Sequence, residues 1–249
     1  MRVLASPGAF DHGPAMSAPI AEGKKAANAP DFPGVGAWVF DLDHTLYTVD
    51  AARQAAMEER ICRYVQRHFG LERDAAWAIQ KRYLMEHGST LAGMIRNHQI
   101  DPDAYHDEVN DIEELGLAPS AALRAGLARL PGRRFVFTNN CGRFAAAVLD
   151  RLGVSDLFAG IVDVKTMAYV LKPHADAFAT LFAQAGIDPR HAVLFDDSPR
   201  NLVAARALGM RTVWFNNGLG MSKMKVERPE LHIDYETDDL PAFLHSIRV

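Results

Sequence analysis

Ala37-Trp38-Val39-Phe40-Asp41-Leu42-Asp43-His44-Thr45 opens the patterned part of the chain with a four-residue apolar run that ends on an acid. The run follows a Pro/Gly stretch and is too short for a helix, so it reads as a buried strand. Three later stretches place polar groups in the same way. Phe135-Val136-Phe137 leads into Thr138-Asn139-Asn140, and Ala192-Val193-Leu194-Phe195 leads into Asp196-Asp197-Ser198. Leu171-Lys172-Pro173 precedes a helical pattern, with Pro173 expected in the first turn of a helix over 173–185. In an open parallel α/β sheet every strand ends at one edge, where ligands bind. The four stretches therefore meet there.

Working outward, residues 51–116 change character. Apolar residues recur at helical spacing, as in Ile61, Val65 and Phe69, then Trp77, Leu84 and Met85. Gly70, Gly88 and Asp101-Pro102 separate the segments. This predicts an all-helical cap inserted after the first strand. Strand and helix then alternate: a helix over 142–152 ending at Gly153, a weak strand at Ile161-Val162, the strand 192–195, a helix through Ala204-Ala205 stopping at Gly209, and Thr212 to Phe215. His232-Ile233-Asp234-Tyr235 starts a last short strand and helix. The expected fold is α/β: a Rossmann-like, mainly parallel sheet with helices on both faces, built from 35–50 and 117–249. Residues 1–34, rich in Ala, Pro and Gly, read as a disordered tail, and Met16 competes with Met1 as the start.

Composition narrows the function. The 249 residues are 49% hydrophobic, enough for a substantial core, with a net charge of -4 and no basic block. That argues against a nucleic-acid polymer as partner. No apolar run has membrane-helix length, and no secretory h-region follows Arg2. The two cysteines, Cys62 and Cys141, lie far apart. A disulfide framework is not expected, and a cytoplasmic location is the simpler reading. The ten histidines show no zinc-ligand spacing, and His68, His98 and His106 read as surface or core residues of the cap. Cys141 stands near the expected site without a base partner.

The chemistry lies in the acids. Asp41 and Asp43 in one tight loop suit a carboxylate nucleophile and a general acid/base beside it. Asp196-Asp197 puts like charges at the same edge, which calls for a cation. Magnesium takes hard oxygen ligands, so Asp41, Asp43 through its backbone carbonyl, Asp196 and Asp197 are the expected metal set. The Thr138 hydroxyl and nearby N–H groups suit phosphate oxygens, and Lys172 suits phosphate or nucleophile charge. Each feature also has a plain reading. D-x-D fits a solvated loop, Asp197-Ser198-Pro199 fits a helix cap, Thr138 a turn and Lys172 a surface residue, with Lys165 a competitor for its role.

Taken together, D-x-D-x-T, a Thr after a strand, Lys-Pro and Asp-Asp resemble the haloacid dehalogenase-like hydrolase superfamily. Phe40 to Tyr47, Tyr83 to Met94, Ile100 to Tyr105 and Phe195 to Asn201 are similar to its pyrimidine 5′-nucleotidase branch. That branch usually has Asn where this chain has His44 and Pro where it has Thr48. The resemblance implies a magnesium-dependent phosphatase on a small phosphomonoester, most simply a pyrimidine nucleoside 5′-monophosphate. Asp41 would be the nucleophile, Asp43 the acid/base, Thr138 and Asn139 the phosphate ligands, Lys172 the bridging cation and Asn201 a support for the metal loop. Other phosphatases of the superfamily (phosphosugar or pyridoxal phosphate), a haloacid dehalogenase and a non-catalytic scaffold are the competing readings. The cap would select the substrate, with Ser89 and Thr90 as candidate contacts against a helix-capping role. A monomer or homodimer is expected.

Overall fold

The computed structural model describes residues 29–218 and 233–248. Six strands form one sheet: β1 (Ala37–Phe40), β2 (Arg133–Phe137), β3 (Gly160–Val162), β4 (Ala192–Asp196), β5 (Arg211–Phe215) and β6 (Tyr235–Thr237). Their order is β3-β2-β1-β4-β5-β6, and every neighbouring pair is parallel. β1 is central. Val39 pairs with Phe135 on one side and Leu194 on the other, so Phe40, Phe137 and Asp196 end together at one edge. All four β1 residues are buried, as a strand covered on both faces must be.

Between β1 and β2 lies the helical insert: α1 (Ala51–Phe69), α2 (Arg73–His87), α3 (Thr90–His98) and α4 (Pro102–Val109). The turn signals act as expected. Gly70 and Gly88 close α1 and α2 at φ 64° and 81°, where a side chain is strained. Asp101 caps α4, with Pro102 in its first turn. The insert has its own apolar cluster around Cys62, Val65, Tyr83, Met94 and Tyr105.

The remaining helices flank the sheet: α5 (Ala121–Arg129), α6 (Gly142–Leu152), α7 (Ala175–Ala185), α8 (Pro199–Ala207) and α9 (Leu240–Ser246). One apolar cluster packs α5, α6 and α9 against one face. A second packs α7 and α8 against the other. Three readings change. Helix α5 was not foreseen, because its pattern, AALRAGLAR, carries an internal glycine. Helix α7 starts at Ala175, not Pro173: Pro173 lies in a turn closed by the His174 N–H on the Leu171 carbonyl, after a cis Lys172–Pro173 bond. The expected tail lies mostly outside the described residues, but its last part is built into the core. Phe32 is buried against Trp38 and Tyr235. The last strand and helix form as expected, but the strand starts at Tyr235, after Ile233 and Asp234; His232 lies outside the described residues.

Candidate active site

The loop after β1 is set by its backbone. The Asp41 N–H donates to the Phe195 carbonyl at 2.8 Å, which carries the β1–β4 register one residue past the strand. Thr45 and Leu46 N–H groups both return to the Leu42 carbonyl, folding Asp43 back. His44 takes a left-handed φ of 61°, unusual for a residue with a Cβ.

Lys172 is the centre of the site. Its ammonium is buried and donates to Asp41 Oδ1 at 2.7 Å, the Phe137 carbonyl at 2.7 Å and Asp196 Oδ2 at 2.9 Å. These contacts use all three of its protons. The Phe137 ring lies beneath it at 5.0 Å. Asn139 fixes the lysine's backbone from both sides, accepting from the Lys172 N–H at 2.9 Å and donating to its carbonyl at 3.2 Å. Asp196 is equally committed. It accepts from the Ser198 N–H at 2.8 Å and from Asn201 at 2.9 and 3.0 Å, besides the lysine.

Carboxylate oxygens of Asp41, Asp196 and Asp197 lie within 4.8 Å of one another, and all three residues are buried. The Asp197 carbonyl accepts from the Trp214 indole at 3.1 Å, which holds the start of α8 against β5. Burial raises the Asp41 carboxyl above its ordinary value and Asp196 to about 6, although Lys172 pulls both down. The two carboxylates hold Lys172 well above its own ordinary value, so it stays charged. Three buried acids with one buried cation make a negative pocket of hard oxygens, which suits a divalent ion.

Asp43 stands apart from that cluster. Its carboxylate accepts from the Tyr47 hydroxyl and from Asn140 Nδ2, the latter at 3.3 Å. Burial and the Asp43 charge push the Tyr47 phenol well above its ordinary range, so it remains a donor. The carboxylate is thus not placed among the metal-facing oxygens; only the backbone carbonyl of Asp43 stays available for that role. Thr138 is fully buried, and its hydroxyl accepts from the Asn140 N–H at 3.0 Å.

Other expected residues lie elsewhere. Ser89 and Thr90 are in the insert: Ser89 caps α3 by accepting from the Ala92 N–H at 3.0 Å, and buried Thr90 donates to the Gln80 carbonyl at 3.3 Å. Ser89 thus has the capping role, and the Thr90 hydroxyl ties α3 to α2. Ser89→Ala should lower stability by about 1 kcal/mol, the usual loss of an N-cap, and leave any substrate ranking unchanged. Urea denaturation beside a substrate panel checks both. Lys165 is exposed in an ion pair with Asp103 at 2.9 Å. Cys141 is buried, which pushes its thiol up and away from nucleophilic use. Tyr47, Asn140 and Asn110 were not foreseen. Asn140 follows Asn139 directly and could have been found by that adjacency, whereas Asn110 carries no local signal.

Open space lies beside the acids. A cavity of about 270 Å³ separates α4 from the start of α6, lined by His106, Cys141, Arg143, Asp163, Lys165 and Tyr169 among others. It is on the insert side of Asn140, one side chain from Asp43.

A family model for haloacid dehalogenase-like hydrolases matches residues 35–209. The chain belongs to that family. The family's expected core and inserted helical cap are the architecture found here. Among curated relatives of this hydrolase, "Phosphate metabolism protein 8" of Saccharomyces cerevisiae is 27% identical over 73% of this chain, which spans only 61% of that relative. A phosphoglycolate phosphatase of Pectobacterium atrosepticum is 25% identical, covering 83% of this chain and 92% of its own length. Phosphoglycolate phosphatase 1 of Pseudomonas aeruginosa is 27% identical, with 82% and 78% covered. Among solved structures, L-2-haloacid dehalogenase from Xanthobacter autotrophicus superposes with a TM-score of 0.54 at 17% identity, covering 85% of this chain and 97% of that one. The hydrolase YfnB from Bacillus subtilis, bound to magnesium, gives 0.54 at 16% identity, with 86% and 99% covered. At these identities the structural likeness speaks for the fold.

Proposed function

We propose that this hydrolase is a magnesium-dependent phosphatase acting on a small phosphomonoester through an aspartyl-phosphate on Asp41. One observation carries the reading: a second acid, Asp43, held by Tyr47 and Asn140 on the same loop as Asp41, together with the carboxylate cluster of Asp41, Asp196 and Asp197. A haloacid dehalogenase needs the nucleophile but neither the second acid nor the metal.

In this reading Asp41 and Asp197 offer side-chain oxygens to the ion, and Asp43 its backbone carbonyl. The four hydrogen bonds on Asp196 make it the residue that seats Lys172. When bound, magnesium offsets charge on the phosphoryl oxygens. Asp41 attacks phosphorus as Asp43 gives its proton to the leaving alcohol. Water then attacks the aspartyl-phosphate, losing its proton to Asp43, and inorganic phosphate leaves. Lys172 lowers the cost of negative charge on Asp41 and the transferring group. The Thr138 O–H and the Asn139 N–H are the proposed phosphate donors, since the Thr138 and Asn140 N–H groups already donate to the Val162 carbonyl and to Thr138 Oγ1, and the Asn139 side chain holds Lys172. Ser89 and Thr90 take no part.

The expected pyrimidine nucleoside monophosphate draws no support from the named relatives. Two of the three given above are phosphoglycolate phosphatases, which favours a small phosphorylated acid or sugar. The test is a panel of phosphoglycolate, sugar phosphates, pyridoxal phosphate and nucleoside monophosphates, with 2-chloropropionate for halide release. Phosphate release should vanish with chelator and return with magnesium, but return poorly with calcium, which prefers more and longer oxygen contacts. Halide release that survives chelation would establish the dehalogenase reading instead.

A further inference from the structure

We propose that Asn110 and Asn140 are positioning residues that couple the seating of the helical cap to the Asp43 carboxylate. The inference rests on the phosphatase reading, in which Asp43 moves the proton. Asn110 directly follows α4 in the cap, and Asn140 sits on the loop after β2 in the core. Their contact crosses the boundary: Asn110 Nδ2 donates to Asn140 Oδ1 at 2.9 Å.

The direction of every bond in this chain is fixed by its neighbours. The Cys141 N–H can only donate, and it donates to Asn140 Oδ1 at 2.9 Å. The other end of that amide is therefore Nδ2, which donates to Asp43 Oδ2. An oxygen on Asn140 facing the cap requires a donor there, so Asn110 presents its nitrogen. The same nitrogen lies 3.2 Å from His106 Nδ1, which must then accept, leaving the ring proton on Nε2. Desolvation lowers the pKa of His106, which favours this neutral form. The network runs from buried His106 in α4 through Asn110 and Asn140 to Asp43, whose second oxygen is held by Tyr47.

Among the described residues, three ion pairs cross the same boundary: Lys165–Asp103, Arg143–Asp107 and Arg151–Glu113. All are exposed, and water and salt screen them. They can hold the cap down but do not touch Asn140. Asn110 does, as a second donor to the oxygen that the Cys141 N–H already orients. With the cap seated, two donors hold the Asn140 amide and Asp43 is aimed. With the cap lifted, Asn140 keeps only the Cys141 N–H, and the donor to Asp43 is held less firmly. Proton transfer to the leaving oxygen is thereby favoured when the cap excludes water. In that step the ester P–O bond breaks, a bond from Asp41 oxygen to phosphorus forms, and the Asp43 proton leaves on the alcohol.

The test uses leaving-group dependence. An alkyl ester such as phosphoglycolate needs a proton on its departing oxygen, whereas 4-nitrophenyl phosphate needs almost none. Positioned acids contribute on the order of 10²–10⁴-fold, so a misaimed one should cost roughly 10–100-fold. Asn110→Ala is expected to lower kcat on phosphoglycolate by that amount while changing 4-nitrophenyl phosphate by less than about threefold. Asn110→Asp, equal in size but acceptor-only, should lose at least as much, because it repels Asn140 Oδ1. A readout independent of turnover is NMR exchange protection of the Asn140 side-chain amide, which should fall in Asn110→Ala while the melting curve stays cooperative. Equal losses on both esters in an active background, or unchanged Asn140 protection, would overturn the coupling. Wild-type protein inactive on every phosphomonoester with magnesium would overturn the phosphatase reading itself, and Asp43's role with it.

Discussion

Asp41→Asn should abolish turnover, by at least about 10⁴-fold, in a protein that still folds. The amide cannot attack phosphorus, and no neighbouring carboxylate replaces it: Asp43 is turned to Tyr47 and Asn140, and Asp196 is saturated by Lys172, Asn201 and Ser198. Losing the nucleophile removes the covalent route, leaving only binding and electrostatics. The fold should tolerate the change. Burial raises the Asp41 carboxyl, so its ionised form is disfavoured in the folded state and a neutral isostere relieves that cost. Lys172 keeps Asp196 and the Phe137 carbonyl as partners. Steady-state rates with magnesium, intact mass after acid quench and a melting curve make the check. Wild type should show a phosphorylated species with substrate; the variant should show none, with a melting temperature near wild type. A folded Asn variant that keeps substantial phosphatase activity would remove Asp41 from the mechanism.

The sequence showed most of this site because its acids sit where backbone pattern changes. Asp41, Thr138 and Asp197 each follow a run of apolar residues, and strand ends in a parallel sheet share an edge, so their meeting followed from topology alone. Lys172 was legible only through its place in the motif order, since nothing local separates a buried lysine from a surface one. Its burial depends on two carboxylates that lie 131 and 24 residues away in sequence. The cap's helices were legible because Gly70, Gly88 and Asp101-Pro102 punctuate them, but its facing residues were not. Ser89 and Thr90 look polar and exposed in sequence. The fold instead directs their hydroxyls to Ala92 and Gln80. Asn110 reaches the core through a contact that no periodicity encodes. Helix α5 escaped for a different reason: an internal glycine, Gly126, lowers its helical signal, while in the structure that glycine admits Leu244 of α9, which a Cβ would meet at 2.9 Å.

Lys172→Met should lower stability by about 3–5 kcal/mol, the cost of removing one partner from a buried ion pair. Methionine replaces most of the lysine's stem but leaves Asp41 Oδ1, Asp196 Oδ2 and the Phe137 carbonyl without their shared donor. For a chain of this size that is a fall on the order of 10 °C in melting temperature. Lys172→Arg should fall between the two, because a planar guanidinium cannot converge on three acceptors that surround one compact ammonium. The pH dependence has a definite sign. Asp196 is raised from 3.8 to about 6 in the folded protein, so the folded state binds that proton more tightly than the unfolded state. Stability is then given up as pH rises from about 4 through 6. Lys172 has the same sign in a different window: held above its ordinary value, it contributes stability throughout neutral pH and loses it only under strongly alkaline conditions. Without the lysine, Asp41 and Asp196 both need to stay protonated, so the variant should be distinctly less stable at pH 7.5 than at pH 5 when metal is chelated. Adding magnesium at pH 7.5 should restore part of the loss by supplying a cation to the same carboxylates. Urea titrations at the two pH values, with and without the ion, measure each quantity. A Lys172→Met protein that melts within 2 °C of wild type at pH 7.5 in chelator would show that the buried acids do not depend on this lysine.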